Sequence, residues 1–320
     1  MISKKFSKKS TAEDVTAGLD LTGKTIAITG INSGIGYEAM RVLAMRGAHV
    51  IGLARTLDKA TQACESVSGN TTPLACELSD LSSVKQCAEQ IIAMNIPIDA
   101  VICNAGIMAL PELVVKDGLE MQFLTNHMGH FLLVYLLQDA LLRAEAGRIV
   151  MLSSEGHKMA PKGGIDFANL DGSKGYGPWK FYGQSKLANL LTALAFNELL
   201  KDKGVCANAV HPGVINTGLV RNMNGALGFL AKFKPSQFLL EKIGGKTIPQ
   251  GASTECYVAV HPDVAGEGGM YYSDNAVAST SYYGGNLELA NQLYEYSINY
   301  LADYLPKAGS VNKSEEPTPV

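Results

Sequence analysis

A tyrosine and a lysine one helical turn apart are the first candidates for chemistry. Tyr182 and Lys186 form a Tyr-x-x-x-Lys pattern at the start of a stretch that favours a helix. Positions i and i+4 share one helix face, so the two side chains would be neighbours. A phenol with an ordinary pKa of about 10 is a weak acid, and a nearby ammonium group favours the phenolate. The pair predicts a tyrosine of lowered pKa that exchanges a proton with a carbonyl or alcohol oxygen. Surface pairs also show this pattern.

Other polar residues come at the ends of predicted strands. Ser153 and Ser154 end one strand, Asn104-Ala-Gly106 follows another, and His211-Pro-Gly-Val-Ile-Asn-Thr217 follows a third. Doubly wound sheets bind ligands at the carboxyl ends of their strands, so these residues are expected at one site. A serine hydroxyl there could hydrogen-bond a substrate oxygen. Asn126 lies in a neighbouring helical segment.

The segment Ile26–Gly36 has the pattern of a phosphate-binding turn. A β-branched strand, Thr25–Thr29, is followed by Gly30, Gly34 and Gly36, and then by a helical pattern. Glycines let the backbone approach a pyrophosphate, and the N–H groups at a helix start face the anion. The spacing is G-x-x-x-G-x-G rather than the commoner G-x-G-x-x-G. An ordinary strand–helix turn is the alternative.

The end of the second predicted strand indicates which dinucleotide is bound. NAD sites usually place a carboxylate there to hold the ribose 2′-hydroxyl. This chain has Ala54 followed by Arg55. A guanidinium group can pair with a 2′-phosphate through two hydrogen bonds, which favours NADP(H) over NAD(H). The alternative is a solvated surface arginine.

Strands and helices alternate along the chain. The predicted strands are Thr25–Thr29, His49–Ala54, Thr72–Cys76, Ala100–Cys103, Arg148–Ser153 and Val205–Val210. Helical patterns lie at 35–46, 57–67, 80–94, 118–143 and 180–203. This alternation predicts an α/β fold with one doubly wound parallel sheet and helices on both faces.

We expect three parts of unequal size. Residues 1–19 form an extension with a short helix, in which Ser10 and Glu13 make a capping box. Residues 20–305 form the dinucleotide-binding domain, with a substrate lid at about 217–248. Residues 306–320 are expected to form a disordered tail, because Lys307–Val320 is polar and contains two prolines.

Composition narrows the function classes. The chain has 320 residues, of which 47% are hydrophobic and 18% charged, in the range of a large globular domain. A net charge of −3 argues against nucleic-acid binding, and six scattered cysteines without C-x-x-C argue against a zinc or disulfide framework. The longest apolar run, Phe131–Leu137, is too short to span a bilayer, and Met1–Ser10 lacks the apolar core of a signal peptide. We expect a cytoplasmic protein without a metal and without membrane contact.

Eight segments in order identify a family resemblance. They are TGINSGIG, GLAR, CNAGIM, TNHMGHFLL, RIVMLSS, YGQSKLANLL, HPGVINT and GGMYYSD, between about residues 11 and 300. Together they resemble the short-chain dehydrogenases/reductases, in the branch of the retinol dehydrogenases and the WW-domain-containing oxidoreductase. The resemblance implies a Rossmann-like sheet of about seven strands in the order 3-2-1-4-5-6-7.

The resemblance also implies roles for matching residues. Tyr182 would be the general acid/base, and Lys186 would tune it and hold the nicotinamide ribose. Ser154 would polarise the carbonyl, and Asn126 would maintain a proton-relay water. The implied cofactor-binding residues are Gly30, Asn32, Ser33, Gly34, Ile35, Gly36, Arg55, Glu77, Leu78, Asn104, Ala105, Gly106, Tyr182, Lys186, Pro212, Gly213, Val214 and Thr217.

Two departures from the family pattern concern the substrate side and the adenine side. Ser154 and Tyr182 are 28 positions apart, longer than usual, and the added segment Gly164–Lys180 is expected to flank the substrate pocket. Glu77-Leu78 replaces the usual Asp-Leu, where the family uses mainly backbone contacts with adenine.

Substrate and assembly are predicted from apolar segments. The lid segment has many leucines and phenylalanines, which suggests a hydrophobic retinoid, steroid, aldehyde or ketone; core packing is the alternative. The helix after Tyr182 is apolar almost all round, which predicts a homodimer or homotetramer. His127 and His130 are expected to pack rather than bind metal, and His157 could line the pocket.

The predicted activity is that of an NADP-dependent oxidoreductase acting on CH–OH and C=O groups. Two alternatives stay open. One is a C=C reductase related to the protochlorophyllide reductases, and the other is a non-catalytic NADP-binding sensor or interaction protein.

Overall fold

Short apolar strands form the central sheet. The computed structural model describes residues 6–215 and 245–306. The strands are β1 (Thr25–Thr29), β2 (His49–Ala54), β3 (Thr71–Ala75), β4 (Ala100–Cys103), β5 (Val115–Lys116), β6 (Leu119–Glu120), β7 (Gly147–Leu152), β8 (Val205–His211), β9 (Tyr271–Ser273) and β10 (Ala276–Val277). Within the described residues, eight strands pair in the order β3-β2-β1-β4-β7-β8-β9-β10, and β5 and β6 form a separate hairpin.

The predicted sheet order is confirmed. In the main sheet, the seven neighbouring strands β3, β2, β1, β4, β7, β8 and β9 are parallel. Strand β10 adds a short antiparallel edge by pairing with β9. Strand order reverses between β1 and β4, which is where doubly wound sheets bind ligands. In the register, Thr29 lies beside Leu53 and Leu152 lies beside Val210, so the carboxyl ends of these strands share one edge.

Helices cover both faces of the sheet. Their bounds are α1 (Ala12–Val15), α2 (Gly34–Met45), α3 (Leu57–Glu65), α4 (Leu81–Ala93), α5 (Met121–Phe123), α6 (Gly129–Leu136), α7 (Gln138–Leu142), α8 (Pro178–Leu200), α9 (Ile248–Val260) and α10 (Leu287–Tyr300). Successive strand residues point to opposite faces. Ala27 and Val101 therefore join the core under α4, α6, α8 and α10. Ile26 and Ile102 join the core under α1, α2 and α9.

The predicted helix over 118–143 is wrong at its start. Asp117 and Gly118 have positive φ values of 53° and 77°, as in a tight hairpin turn, and they connect β5 to β6. After α5 the chain forms a π-helical turn, Leu124–Met128, before α6. This turn carries Asn126.

The short N-terminal helix is confirmed, but its cap is one residue later than predicted. Thr11, not Ser10, begins it: the Thr11 hydroxyl accepts a hydrogen bond from the Asp14 amide, and the Asp14 carboxylate accepts one from the Thr11 amide. The proposed lid lies mostly outside the described residues, as does the C-terminal tail from residue 307.

Helix α8 is buried nearly all round by its own chain. Residues 181–193 are all buried, with the sheet on one side and α10 on the other. Leu289 and Leu293 of α10 belong to the same core as Leu187 and Phe196 of α8. The apolar pattern of α8 therefore needs no second subunit, and the expected homodimer or homotetramer stays a prediction without that support.

Candidate active site

Helix α8 presents Tyr182 and Lys186 at the carboxyl edge of the sheet. The helix begins at Pro178, a residue suited to the first helical turn. The Lys186 Nζ atom lies 5.8 Å from the centre of the Tyr182 ring and donates a hydrogen bond to the Leu152 carbonyl oxygen at 3.0 Å. Both side chains are buried. The predicted neighbours are therefore brought together.

The expected lowering of the pKa of Tyr182 is wrong for this geometry. Burial raises the pKa of the phenol, and a hydrogen bond with the Ser154 side chain opposes this only in part. Lys186 is buried too, and loss of hydration lowers its pKa to about 8. Loss of hydration therefore disfavours the charged form of both groups.

The two serines after β7 have different partners. Ser153 Oγ donates to the Lys186 carbonyl oxygen at 2.7 Å, which ties α8 to the strand. Ser154 Oγ accepts from the Gly156 amide at 3.0 Å, and the Ser154 side chain is close enough to the Tyr182 phenol to oppose the rise of its pKa. Ser154 is therefore the serine that faces the predicted acid.

Asn126 holds the start of the loop after β4. Its Oδ1 atom accepts from the Ile107 amide at 2.8 Å, and its Nδ2 atom donates to the Ile107 carbonyl oxygen and to Ser185 Oγ, each at 2.9 Å. These contacts use both hydrogens of the side-chain amide and one lone pair of its oxygen. Its role with a relay water stays a prediction.

The buried histidine His130 connects Asn126 to the first strand. Burial lowers its pKa to about 4, so the ring is neutral. Its Nδ1 lies 2.8 Å from the Asn126 carbonyl oxygen, which can only accept, so Nδ1 carries the proton. The Nε2 atom then accepts from the Thr29 hydroxyl, also at 2.8 Å. His127 is likewise fully buried, beside Thr192 and Ser297.

His157 does not line a pocket as suggested, because it is fully buried. Its Nδ1 donates to the Ser154 carbonyl oxygen at 2.6 Å, and its Nε2 accepts from the Ser281 amide at 2.9 Å. The ring therefore connects the strand end that carries Ser154 to the loop around Ser281. The Ser-Ser-x-x-His spacing is the sequence pattern that could have predicted this contact between His157 and Ser154.

The glycine turn fits the phosphates of a dinucleotide. Gly30 and Gly34 have φ values of 78° and 67°, a region that favours glycine. A Cβ atom on Gly36 would lie 2.2 Å from Asn104 Nδ2 and 2.6 Å from the Gly30 carbonyl oxygen. Ser33 makes no side-chain cap on α2, so the first N–H groups of that helix are available to an anion.

Asn104 supports the same turn. Its Nδ2 atom donates to the Thr29 carbonyl oxygen at 2.7 Å, while its buried Oδ1 has no hydrogen-bond partner among the described residues. Beside it, the Ala105 amide donates to Thr29 Oγ1 at 3.0 Å. A Cβ on Gly106 would lie 3.3 Å from Lys186 Nζ. The predicted Asn-Ala-Gly segment thus connects the glycine turn to the Tyr–Lys pair.

Arg55 lies at the end of β2, as predicted, and Glu77 lies beside it. Arg55 Nε is 3.2 Å from Glu77 Oε2, and the arginine side chain is 64% exposed. Glu77 also accepts from Ser79, through its amide and its hydroxyl. A carboxylate is therefore present beside Arg55, and it comes from the loop that follows β3.

A cleft next to this end of the site was missed from the sequence. Its volume is about 470 Å³, and it is lined by Asn32, Tyr37, Lys59, Gln62, Ala63 and Ser66. Lys59 follows Arg55 by four positions, in the first turn of α3. This four-residue spacing is the sequence pattern that could have predicted a second positive charge near Arg55. Asn32 belongs to the glycine turn, so the cleft continues from it.

The segment after β8 is described only in part. Pro212 and Gly213 are half-buried and Val214 is 72% exposed, whereas Thr217 lies outside the described residues. Gly213 has a φ of 91°, and a Cβ there would meet the Lys246 side chain at 2.7 Å. The buried Lys246 pairs with Asp274 at 2.7 Å and was not predicted.

In residues 6–215 and 245–306, no helix combines the length and hydropathy needed to cross a membrane. The same residues contain no cluster of three or more metal-ligating side chains.

Comparison with known proteins gives consistent matches. A family model described as short chain dehydrogenase matches residues 24–227. Short-chain dehydrogenase TIC 32 B, chloroplastic, from Brassica napus is 43% identical over 94% of this chain and 95% of its own length. WW domain-containing oxidoreductase from Homo sapiens is 34% identical over 94% of this chain and 73% of its own, and retinol dehydrogenases of Mus musculus also match.

A solved structure has the same architecture. An uncharacterised protein from Mycobacterium paratuberculosis superposes with a TM-score of 0.72 at 30% identity, over 90% of this chain and 97% of that one. The architecture of this chain is therefore shared by a protein of known structure.

Proposed function

Since the chain belongs to the short-chain dehydrogenase family, in the branch that is similar to retinol dehydrogenases and the WW domain-containing oxidoreductase, we propose that it is an NADP(H)-dependent oxidoreductase. It interconverts a carbonyl and an alcohol group on a hydrophobic small molecule. The contact of Ser154 with the Tyr182 phenol, beside the Lys186 ammonium group, carries this proposal.

Tyr182 protonates the substrate oxygen during carbonyl reduction. Burial raises the pKa of the phenol, so Tyr182 carries its proton at neutral pH. The Ser154 hydroxyl donates a hydrogen bond to the same oxygen, which stabilises the negative charge that develops there. NADPH, held at the glycine turn around Gly30, Gly34 and Gly36, would supply the hydride.

Lys186 stabilises the phenolate that remains after proton transfer. An ammonium group near a phenolate favours the charged form, so the proton leaves Tyr182 more readily when Lys186 is charged. The Leu152 carbonyl oxygen and the Ser153 hydroxyl fix the position of Lys186 and of its helix turn. In alcohol oxidation the same groups act in reverse, and the phenolate accepts the proton.

The preference for NADP(H) rests on charge near the ribose. Arg55 rather than a carboxylate directly follows β2, and Lys59 lines a cleft together with Asn32 of the glycine turn. Glu77 opposes this preference because it pairs with Arg55 through Nε. The terminal amino groups of the exposed guanidinium can still reach a phosphate by side-chain rotation.

The proposal is tested first by binding and then by turnover. Fluorescence titration should give a lower Kd for NADPH than for NADH. NADPH absorbance should then fall when an aldehyde or ketone from a panel of retinoids, steroids and long-chain aldehydes is added. Binding of neither dinucleotide would contradict the proposed cofactor. Saturable NADPH binding without turnover of any panel member would favour the sensor alternative.

A further inference from the structure

The loop after β4 is held by side chains from three directions. Asn126 bonds both backbone groups of Ile107, as described above. Two positions further on, the Ala109 amide donates to Gln122 Oε1 at 2.7 Å. The Tyr176 hydroxyl donates to the Leu110 carbonyl oxygen at 2.6 Å. The 107–110 segment therefore has a defined path although it belongs to no helix or strand.

The backbone conformation of Ala109 indicates that contacts with other segments hold the 107–110 segment in its path. Its φ is 48°, in the left-handed region that residues with a Cβ atom adopt at a cost. The Gln122 side chain receives the Ala109 amide directly, so it can offset that cost. A segment without such a partner would favour an ordinary extended path.

Gln122 is the centre of this arrangement. It is fully buried. Its Nε2 atom donates to Glu120 Oε1 at 3.1 Å and to the Tyr176 hydroxyl and the Pro178 carbonyl oxygen, each at 3.2 Å. Gln122 thus joins the 107–110 segment to the added segment 164–180 and to the first turn of α8.

The 107–110 segment lies next to the proposed catalytic groups. It begins directly after Gly106, which is close to Lys186 Nζ. On the other side of the network, Trp179 follows Pro178, is 41% exposed and packs edge-on with its ring centre 6.1 Å from that of Tyr182. The segment itself carries Ile107, Met108 and Leu110, which are apolar and half-buried.

We propose that Gln122 and Tyr176 are positioning residues that fix the 107–110 segment as the wall against which the apolar part of the substrate packs. This inference rests on the proposed carbonyl reduction. It assigns a purpose to the added segment 164–180, which supplies Tyr176. It also predicts that selectivity for long apolar substrates depends on a network that does not touch the reacting atoms.

Tyr176→Phe tests the network with little change in packing. The ring keeps its contact with Phe181, at 5.2 Å between centres, and only the hydroxyl is lost. We expect kcat/KM for decanal, with NADPH, to fall about three- to tenfold relative to that for propanal, because the hydroxyl loses its hydrogen bonds with Leu110 and Gln122. The change should appear in KM rather than kcat. Gln122→Leu should have a larger effect in the same direction.

Hydrogen–deuterium exchange tests the same network without turnover. In both variants the amides of the 107–110 segment should exchange faster than in the wild type. Tyr300→Phe is the matched control, because it removes a tyrosine hydroxyl that donates to a backbone carbonyl, that of Asp117, at 2.8 Å. It should leave exchange in the segment and the decanal-to-propanal ratio unchanged.

The outcomes separate the inference from the proposed function. Unchanged exchange in Tyr176→Phe and Gln122→Leu overturns the positioning role. Faster exchange with an unchanged decanal-to-propanal ratio overturns the role in selectivity. If the wild type reduces neither aldehyde with either dinucleotide, the carbonyl reductase proposal and the substrate wall both fail, while exchange still decides whether Gln122 and Tyr176 hold the segment.

Discussion

The ammonium group of Lys186 lies 5.8 Å from the centre of the Tyr182 ring, and both groups are buried. Burial raises the pKa of the tyrosine and lowers that of the lysine to about 8. At neutral pH the phenol is therefore protonated and the lysine is charged. This combination suits proton donation to a carbonyl oxygen, followed by stabilisation of the phenolate.

The first prediction concerns the pH dependence of carbonyl reduction. As pH rises through about 8, Lys186 loses its proton while Tyr182, with its raised pKa, keeps its own. Stabilisation of the phenolate is then lost, so kcat/KM with NADPH should decline above that pH. Thermal unfolding measured over the same range controls for loss of structure. A profile that stays level well above pH 8 would contradict the role of Lys186.

A buried carboxyl gives the second prediction. Glu255 in α9 is fully buried, neither of its oxygens has a hydrogen-bond partner among the described residues, and burial raises its pKa to about 8. Below the unfolded value of about 4.5 both states hold the proton. Between that value and about 8 only the folded state holds it, so stability falls as pH rises.

Glu255→Gln removes this dependence. Urea denaturation should show that the variant gains about 3 kcal/mol relative to the wild type between about pH 5 and pH 8. Lys186 also has a shifted pKa, of about 8, and its titration changes the unfolding free energy over the same pH range. This change is the same in the wild type and the variant, so it cancels when the two unfolding free energies are subtracted. An equal difference in unfolding free energy at both pH values would show that Glu255 does not titrate as described.

Substitution in the glycine turn gives the third prediction. Gly36→Ala places a Cβ 2.2 Å from Asn104 Nδ2 and 2.6 Å from a backbone oxygen, a contact that requires movement of the turn. NADPH binding should be lost, or weakened by more than about a hundredfold. Gly285→Ala is the control, since a Cβ there meets nothing within 4 Å. Unchanged NADPH affinity in Gly36→Ala would mean that the dinucleotide binds elsewhere.

Cofactor preference gives the fourth prediction. Arg55→Ala should raise the Kd for NADPH about ten- to hundredfold, the value of one charged hydrogen bond, and leave that for NADH nearly unchanged. Lys59→Ala should act in the same direction. Arg143→Ala removes an exposed arginine elsewhere and should change neither Kd. An equal rise of the Kd for NADPH and for NADH in Arg55→Ala would show that the arginine does not bind the 2′-phosphate.

Much of this architecture could be predicted from local patterns. The β-branched runs and helical spacing identify the parallel sheet, and the glycine spacing identifies the turn between β1 and α2. The helix predicted over 118–143 begins too early, because Asp117 and Gly118 form a hairpin turn with positive φ values. Such φ values do not follow from hydrophobic spacing.

The electrostatics of the site needed the fold. The Tyr-x-x-x-Lys spacing predicts that the side chains are neighbours, but not that both are buried or that Lys186 is bonded to Leu152. The expected direction of the tyrosine pKa was wrong because burial disfavours the phenolate. The hydrogen bond between Gln122 and Ala109, and the cleft that Lys59 shares with Asn32 of the glycine turn, depend likewise on how distant segments pack.

Tyr182→Phe tests the central claim most directly. The variant keeps the ring and removes only the hydroxyl, so NADPH titration should give a Kd close to that of the wild type. Oxidation of NADPH by a carbonyl substrate of the wild type should fall by about a hundredfold or more, the value of a general acid. Turnover close to that of the wild type, with NADPH binding intact, would contradict the proposed mechanism.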